Sequence, residues 1–274
     1  MDCSVSRALG VRELLLKGVS MFRFNTKPQS FKEIIVSAFT LYWEGIQGLW
    51  MWSLVLAVVS SIPDWLMVYF MRRNASMRVL LSVDLFALLL LPIVSFIIGF
   101  IFYQLFLIGS QTPKKNSEVV SIVLDKLLWL SIALLISVSL TWLGLLFFII
   151  PGIFIGVMLI FVQPLILLDD HPLFDAFKYS WFLVKKNWWH TFIVLTMPLL
   201  LFYVAMPSVY SGNPSIFRLV FDVIRMTLVI PLFFSFILTM FYDAKARHHV
   251  AMHLPRVKKS KVKTVGPIEA EPTE

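Results

Sequence analysis

The stretch Leu127–Leu168 reads LLWLSIALLISVSLTWLGLLFFIIPGIFIGVMLIFVQPLILL, forty-two residues with no Asp, Glu, Lys or Arg. At 1.5 Å per residue a helix of that length measures about 63 Å, roughly twice the ~30 Å hydrocarbon core of a bilayer. It therefore reads as two membrane crossings. Pro151-Gly152, near its middle, supplies the turn expected between them. Lys126 stands before the run and Asp169-Asp170 after it, so both ends point to the same polar side.

Other uncharged runs extend the pattern. Gly45–Pro63 gives a first span and Leu85–Ile108 a second. Asn187–Phe217 gives a fifth, and Met226–Tyr242 a sixth with a kink expected at Pro231. The expected fold class is an all-α polytopic helical membrane protein with about six transmembrane helices and two interfacial amphipathic helices. The composition agrees: 59% of the 274 residues are hydrophobic, 15% are charged, and the mean hydropathy is +0.84. A soluble domain averages roughly 45–50% apolar and about 25% charged residues. An ordinary soluble enzyme, a disordered chain and a fibrous one are excluded.

Charge placement sets the orientation. Nineteen Lys and Arg fall before span one, in the loops after spans two and four, and in the tail, against five on the opposite side: Arg72, Arg73, Arg78, Arg218 and Arg225. The excess of basic residues predicts that both termini are cytoplasmic, which requires an even number of spans. The organisation expected is a basic cytoplasmic segment over 1–30, a six-span membrane domain over 31–242, and a basic, largely disordered cytoplasmic tail over 243–274. Arg7, Arg12, Glu13 and Lys17 interrupt the first twenty residues, so no signal peptide is expected there, and Met21 offers an alternative start. The net charge of +8 is attributed to membrane topology rather than to nucleic acid, and Cys3, the one cysteine, excludes an intrachain disulfide.

Two segments have amphipathic helical spacing. Over 31–44, Phe31, Ile34, Ile35, Ala38, Leu41 and Tyr42 share a face, with Lys32, Glu33, Ser37, Thr40 and Glu44 largely elsewhere. Over 172–187, Phe174, Phe177, Trp181 and Val184 form the apolar face, Pro172 opens the helix, and Asp170 is placed to accept its first N–H groups. Phe31, Ser37 and Phe39 align with Phe174, Ser180 and Phe182, a similarity that any helix leading into a span would show. Trp181, Lys185, Lys186 and Trp188 are expected at the lipid interface, with Lys258, Lys259 and Lys261 of the tail also meeting anionic headgroups.

Buried polar candidates are few. Asp84 is expected to snorkel or to pair with Arg78 or a loop arginine, and Arg218, Asp222 and Arg225 to pair with one another along one helix face. Gln104 and Gln163 are expected to bond across helices. Gly152-x-x-x-Gly156 is spaced for close helix approach, although the expected turn also explains Gly152. Asp169-Asp170-His171 has the residue types of a hard-metal or general-base cluster, but three successive residues project apart, and capping or interface solvation accounts for them. His249 and His253 share a helix face and lack the further ligands a metal needs. No P-loop, dinucleotide-binding glycine fingerprint, HExxH or nucleophile elbow occurs in the sequence. No catalytic residue, metal site or cofactor is expected.

Ile150-Pro151-Gly152-Ile153, then Gln163-Pro164, Asp170, Ala176-x-x-x-Ser180 and Lys185-Lys186-Asn187-Trp188, resemble the YciC-like family of uncharacterised multi-pass bacterial inner-membrane proteins. The resemblance covers roughly residues 125–200 and implies a bacterial inner-membrane location and a polytopic helical fold; it implies no activity. Three functions remain open at this level. One is non-catalytic organisation of lipid, membrane-protein partners or a homo-oligomer. The second is a small transporter or exporter using polar groups of spans two and four. The third is a lipid-processing enzyme acting through Asp169, Asp170 or His171.

Overall fold

The computed structural model describes residues 24, 27–74, 76–112, 114–204 and 216–253. Helix α1, Phe31–Arg72, begins at a reciprocal cap in which Ser30 Oγ accepts from the Glu33 N–H at 3.4 Å and Glu33 Oε2 accepts from the Ser30 N–H at 2.7 Å. It then runs 42 residues without a break, through Pro63. The amphipathic segment 31–44 is therefore the first third of this helix, not a separate interfacial helix. No residue that ends a helix falls between it and the span, and Gly45 is held in place by Leu105 and Leu49. Its expected face is the buried one, with Ile34, Ala38 and Leu41 fully covered.

Asn74, at φ +49°, helps turn the chain into α2, Met77–Ser110; asparagine tolerates the left-handed region better than most residues. α2 stops at Gln111, also left-handed at φ +55°. The sequence reading had only a loop next, but a short helix α3, Asn116–Asp125, forms there. Val119 and Val123, one turn apart, are fully buried, and Val123 packs against Gly99 of α2.

The 42-residue run folds as α4, Leu127–Phe147, α5, Ile149–Met158, and α6, Val162–Leu168. The turn falls at Phe148, which has extended backbone (φ −158°, ψ 139°), and not at Pro151-Gly152. Pro151 sits in the first turn of α5, where a missing N–H costs nothing. Gly152 belongs to the packing of the hairpin. A Cβ on Gly152 would lie 2.5 Å from the Leu145 backbone nitrogen, and one on Gly144 would lie 2.8 Å from the Gly152 Cα. The hairpin closes as tightly as two glycines allow.

α7, Leu173–Lys185, leads into α8, Trp188–Val204, and α9, Ile216–His253, completes the described chain. α9 runs antiparallel to α1. Gln29 meets Asp243, and Phe39 lies edge-on to Phe236 at 5.6 Å. Pro231 lies inside α9 without ending it. The helix continues to His253, with Asp243, Ala244 and Ala246 buried; the tail after residue 253 lies outside the described residues. The core joins both halves of the chain through Phe102–Phe234 at 4.7 Å and Phe161–Phe241 at 5.7 Å.

The chain is an all-α polytopic protein, with no strand among the described residues. Five stretches are long and apolar enough to cross a membrane: Phe31–Met71, Met77–Ser110, Leu127–Phe147, Ile149–Leu168 and Val223–His248. The expected span at 187–217 corresponds to α8, apolar over Trp188–Leu200 but shorter than these, and residues 205–215 lie outside the described ones.

The two kinds of glycine should separate experimentally. Gly152→Ala forces a Cβ into the backbone of Leu145 and should cost about 1–3 kcal/mol, the usual toll of overpacking. Gly48 of α1 has nothing within 4 Å of its Cβ direction, so Gly48→Ala should stabilise by about 0.5–1 kcal/mol through helix propensity. Thermal unfolding in detergent micelles should move the two midpoints in opposite directions.

Candidate functional site

The densest polar region lies at the C-terminal end of α9. Asp243, Lys245 and Arg247 each fasten a different part of the structure or one another. Asp243 is 2% exposed; its Oδ1 accepts from the Gln29 N–H at 2.7 Å and its Oδ2 from Arg247 Nε at 2.6 Å. Arg247 Nη2 also donates to the Gln29 carbonyl. The Asp243–Arg247 pair thus holds both backbone polar groups of one residue, Gln29, as a neighbouring antiparallel strand would. Lys245 Nζ donates to both carboxylate oxygens of Asp169 at 2.9 Å.

On the other side of the loop after α6, Lys126 Nζ donates to the carbonyls of Ile166 (3.2 Å) and Leu167 (2.8 Å) and pairs with Asp170. A cation on the last carbonyls of a helix complements its dipole. Asp170, at φ +55°, is turned toward Lys126, so it does not cap α7. The cap residue of α7 is Pro172, with no side-chain bond. His171 stacks on Tyr179 at 4.6 Å. Asp169, Asp170 and His171 are accordingly spent on two ion pairs and a ring contact. Among the described residues no group of three His, Cys, Asp or Glu is placed to hold a metal.

α7 presents two faces. Leu173, Ala176, Ser180, Leu183 and Val184 are buried, while Phe174, Tyr179, Trp181 and Phe182 are exposed beside the exposed Lys178, Lys185 and Lys186. Of the expected apolar face, Phe174 and Trp181 are exposed, Phe177 is half-buried and Val184 is buried, so the row divides between the outside and the core. Ser180 is fully buried for a specific reason. Its hydroxyl donates to the Met158 carbonyl at 2.6 Å and accepts from the Phe161 N–H at 3.3 Å. It thereby satisfies two backbone groups freed where α5 gives way to α6. Pro164 causes that break, because it has no N–H and its ring crowds the carbonyl four residues back.

The expected site residues do not converge. Asp84 is exposed on α2 and forms no ion pair with Arg78 among the described residues. Six residues separate the two, about 240° around a helix, which places them on different faces. Gln104 is half-buried and donates to Asn116 Oδ1 at 3.0 Å. Gln163 is half-buried, donates to the Leu130 carbonyl at 3.0 Å across helices, and keeps a buried Oε1 with no partner. Gln104 and Gln163 line separate cavities. Trp188, expected at the lipid surface, is half-buried, stacked on Phe192 at 5.0 Å and Phe154 at 5.5 Å; the exposed ring is its neighbour Trp189. Lys258, Lys259 and Lys261 lie outside the described residues, as do the side chains of Arg218, Asp222, His249 and His253.

Sequence reasoning missed Ser180's role, the Asp243–Arg247 clamp and α3. The signal for the clamp was present as a lone Asp in a basic segment, four residues before an Arg. Lys114, beyond the end of the α2 span, donates from Nζ to the Tyr103 hydroxyl at 3.0 Å, and this bond raises the pKa of its ammonium. No family model, curated protein or solved structure matches the chain.

The two ion pairs differ in burial, and so should their energetics. Arg247→Ala leaves the buried Asp243 carboxylate short of its cation and should cost about 3–5 kcal/mol. The Asp170 side chain is 78% exposed, and Asp170→Ala should cost less than about 1 kcal/mol. Denaturation midpoints of the two purified variants give the comparison.

Proposed function

We propose that this chain is a non-catalytic membrane protein, resident in a bacterial inner membrane with both termini cytoplasmic, that engages anionic lipid through α7. The observation that carries this reading is the outward face of α7. Phe174, Trp181 and Phe182 are exposed next to Lys178, Lys185 and Lys186, while the opposite face is bound into the core. Aromatic rings at headgroup depth beside lysines suit an interface with anionic lipid. The use of Asp169, Asp170 and His171 in structural contacts argues against the lipid-processing alternative. The YciC-like resemblance supports the location alone.

A basic residue near a bilayer surface contributes about 1 kcal/mol toward anionic headgroups. Lys185→Gln and Lys186→Gln should therefore each lower the retention of phosphatidylglycerol over phosphatidylcholine by roughly fivefold. The loss should shrink as salt rises. Native mass spectrometry of the chain in mixed micelles reads this directly, and unchanged selectivity in the double variant would refute the assignment.

A second reading, a small exporter, is favoured by one feature. Gln163, with its unpartnered Oε1, lines a cavity of about 290 Å³ between α2, α4, α5, α6 and α9. Single cysteines at Ser137 and Gly156, in a Cys3→Ser background, should react with a water-soluble maleimide if the cavity conducts. On the lipid-binding reading both stay protected.

A further inference from the structure

A cleft of about 590 Å³ opens between the second half of α1 and the start of α9. Leu54, Val58, Ile62 and Trp65 form one wall, Val220 and Ile224 the other. Ser61 also lines it, but its hydroxyl donates to the Ala57 carbonyl at 2.6 Å and so offers no free donor. Val58, Ile62, Trp65, Val220 and Ile224 stay exposed along the opening. Spread over the ~18 Å that α1 rises from Leu54 to Leu66, the volume gives a cross-section of about 33 Å². A second helix, about 10 Å across, is too wide for it. A hydrocarbon chain is not.

One end of the cleft is polar. Trp65 stacks on Tyr69 at 5.6 Å, and the Arg73 guanidinium lies over the Tyr69 ring, 4.9 Å from its centroid. The three follow at four-residue spacing, so they carry one face of α1 from the cleft to the helix end. Stacking occupies the flat face of the guanidinium. It leaves the N–H groups at the edge, the fork that matches phosphate oxygens. Arg78, in the first turn of α2, is exposed as Arg73 is. Among the described residues neither arginine forms an ion pair.

Depth joins the two parts. From Glu44 to Arg73 the chain rises about 43 Å, which matches the ~40–45 Å of a bilayer with its headgroups. With those two charges at opposite headgroup levels, Val58 falls at the mid-plane. Trp65 then lies well inside the leaflet on the Arg73 side. Apolar walls, an aromatic pair and a guanidinium thus follow one another as tail, interface and headgroup do in a single leaflet.

We propose that this cleft seats a glycerophospholipid of the leaflet away from α7, with one acyl chain between α1 and α9 and the phosphodiester on Arg73. The site is separate from the lysines of α7. It reads the phosphodiester, which zwitterionic and anionic phospholipids share, where α7 reads net charge.

The test uses the full chain, delipidated in detergent, with the thermal midpoint followed as dioleoylphosphatidylcholine or dioleoylglycerol is added. A ligand that binds only the folded state raises the midpoint with concentration. Phosphatidylcholine has the phosphodiester and no net charge for α7 to select, and it should raise the wild-type midpoint. Dioleoylglycerol has the same chains without phosphate and should need roughly tenfold more for the same shift. Arg73→Gln should weaken the phosphatidylcholine response by roughly tenfold and make the two lipids equal. Val58→Trp fills the cleft and should abolish both responses. Should Val58→Trp fail to fold, Arg73→Gln keeps the test valid, because Arg73 is exposed at the helix end. The Lys185→Gln, Lys186→Gln double variant should keep the full phosphatidylcholine response. A full response in Arg73→Gln or in Val58→Trp would overturn the proposal, as would equal wild-type responses to the two lipids. Loss of the response in the lysine double variant would move the lipid to α7 and overturn it too. A change of oligomeric state in Val58→Trp with the lipid response intact would give the cleft to a second copy of the chain instead.

Discussion

Apolar surroundings offer no water to a backbone polar group, and each unpaired one costs several kcal/mol. The Ser180 hydroxyl answers that constraint at the place where the long apolar run breaks. By bonding the Met158 carbonyl and the Phe161 N–H together, it allows α5 and α6 to be two helices inside one apolar stretch. The same bonds seat α7 against that break and fix which of its faces turns outward. Lys126 does the corresponding work at the end of α6 by bonding its last carbonyls, and Asp170 and Asp169 connect the end of α6 to α4 and α9. The exposed row of α7 is therefore a consequence of where Ser180 must point.

Hydroxyls elsewhere follow the same logic without linking elements. Ser235 and Thr239 are buried on α9 and donate to the carbonyls of Pro231 and Ser235, one turn back. They satisfy themselves and leave nothing for a ligand. The polar groups that remain for recognition are those held across elements. Gln104 is braced by Asn116, and Gln163 is tied to Leu130.

Much of the fold was legible because charge exclusion from the membrane is a linear signal. The uncharged runs located α2, α4 and the α5–α6 pair, and the face of α1 over Ile34, Ala38 and Leu41 followed from its period. What was not legible depended on geometry. Pro151-Gly152 has the composition of a turn, yet Phe148 makes the turn, because a proline in the first turn of a helix and a glycine in a helix interface suit packing equally well. The period of α7 marked an apolar row but not how it divides: Phe174 and Trp181 are exposed while Val184 is buried, because in a chain set in lipid an aromatic row turns outward as readily as inward. The pairing of Asp169 and Asp170 was hidden because their partners, Lys245 and Lys126, lie 76 and 44 residues away. Gln104 and Gln163 were found as polar groups in apolar stretches, but their separation into two cavities depends on how α1 and α9 flank α2.

The clamp that Asp243 and Arg247 place on Gln29 spans 214 and 218 residues. Its order of assembly follows from that separation. A ribosome delivers the Gln29 peptide long before Arg247 exists, so α1 must wait in the bilayer through the synthesis of almost every other helix. Among the described helices, α1 acquires its main partner only when α9 arrives. Closure of this protein is thus a terminal event of its biogenesis, and a chain interrupted before residue 247 leaves the segment ahead of α1 unfastened however well the central hairpin has formed.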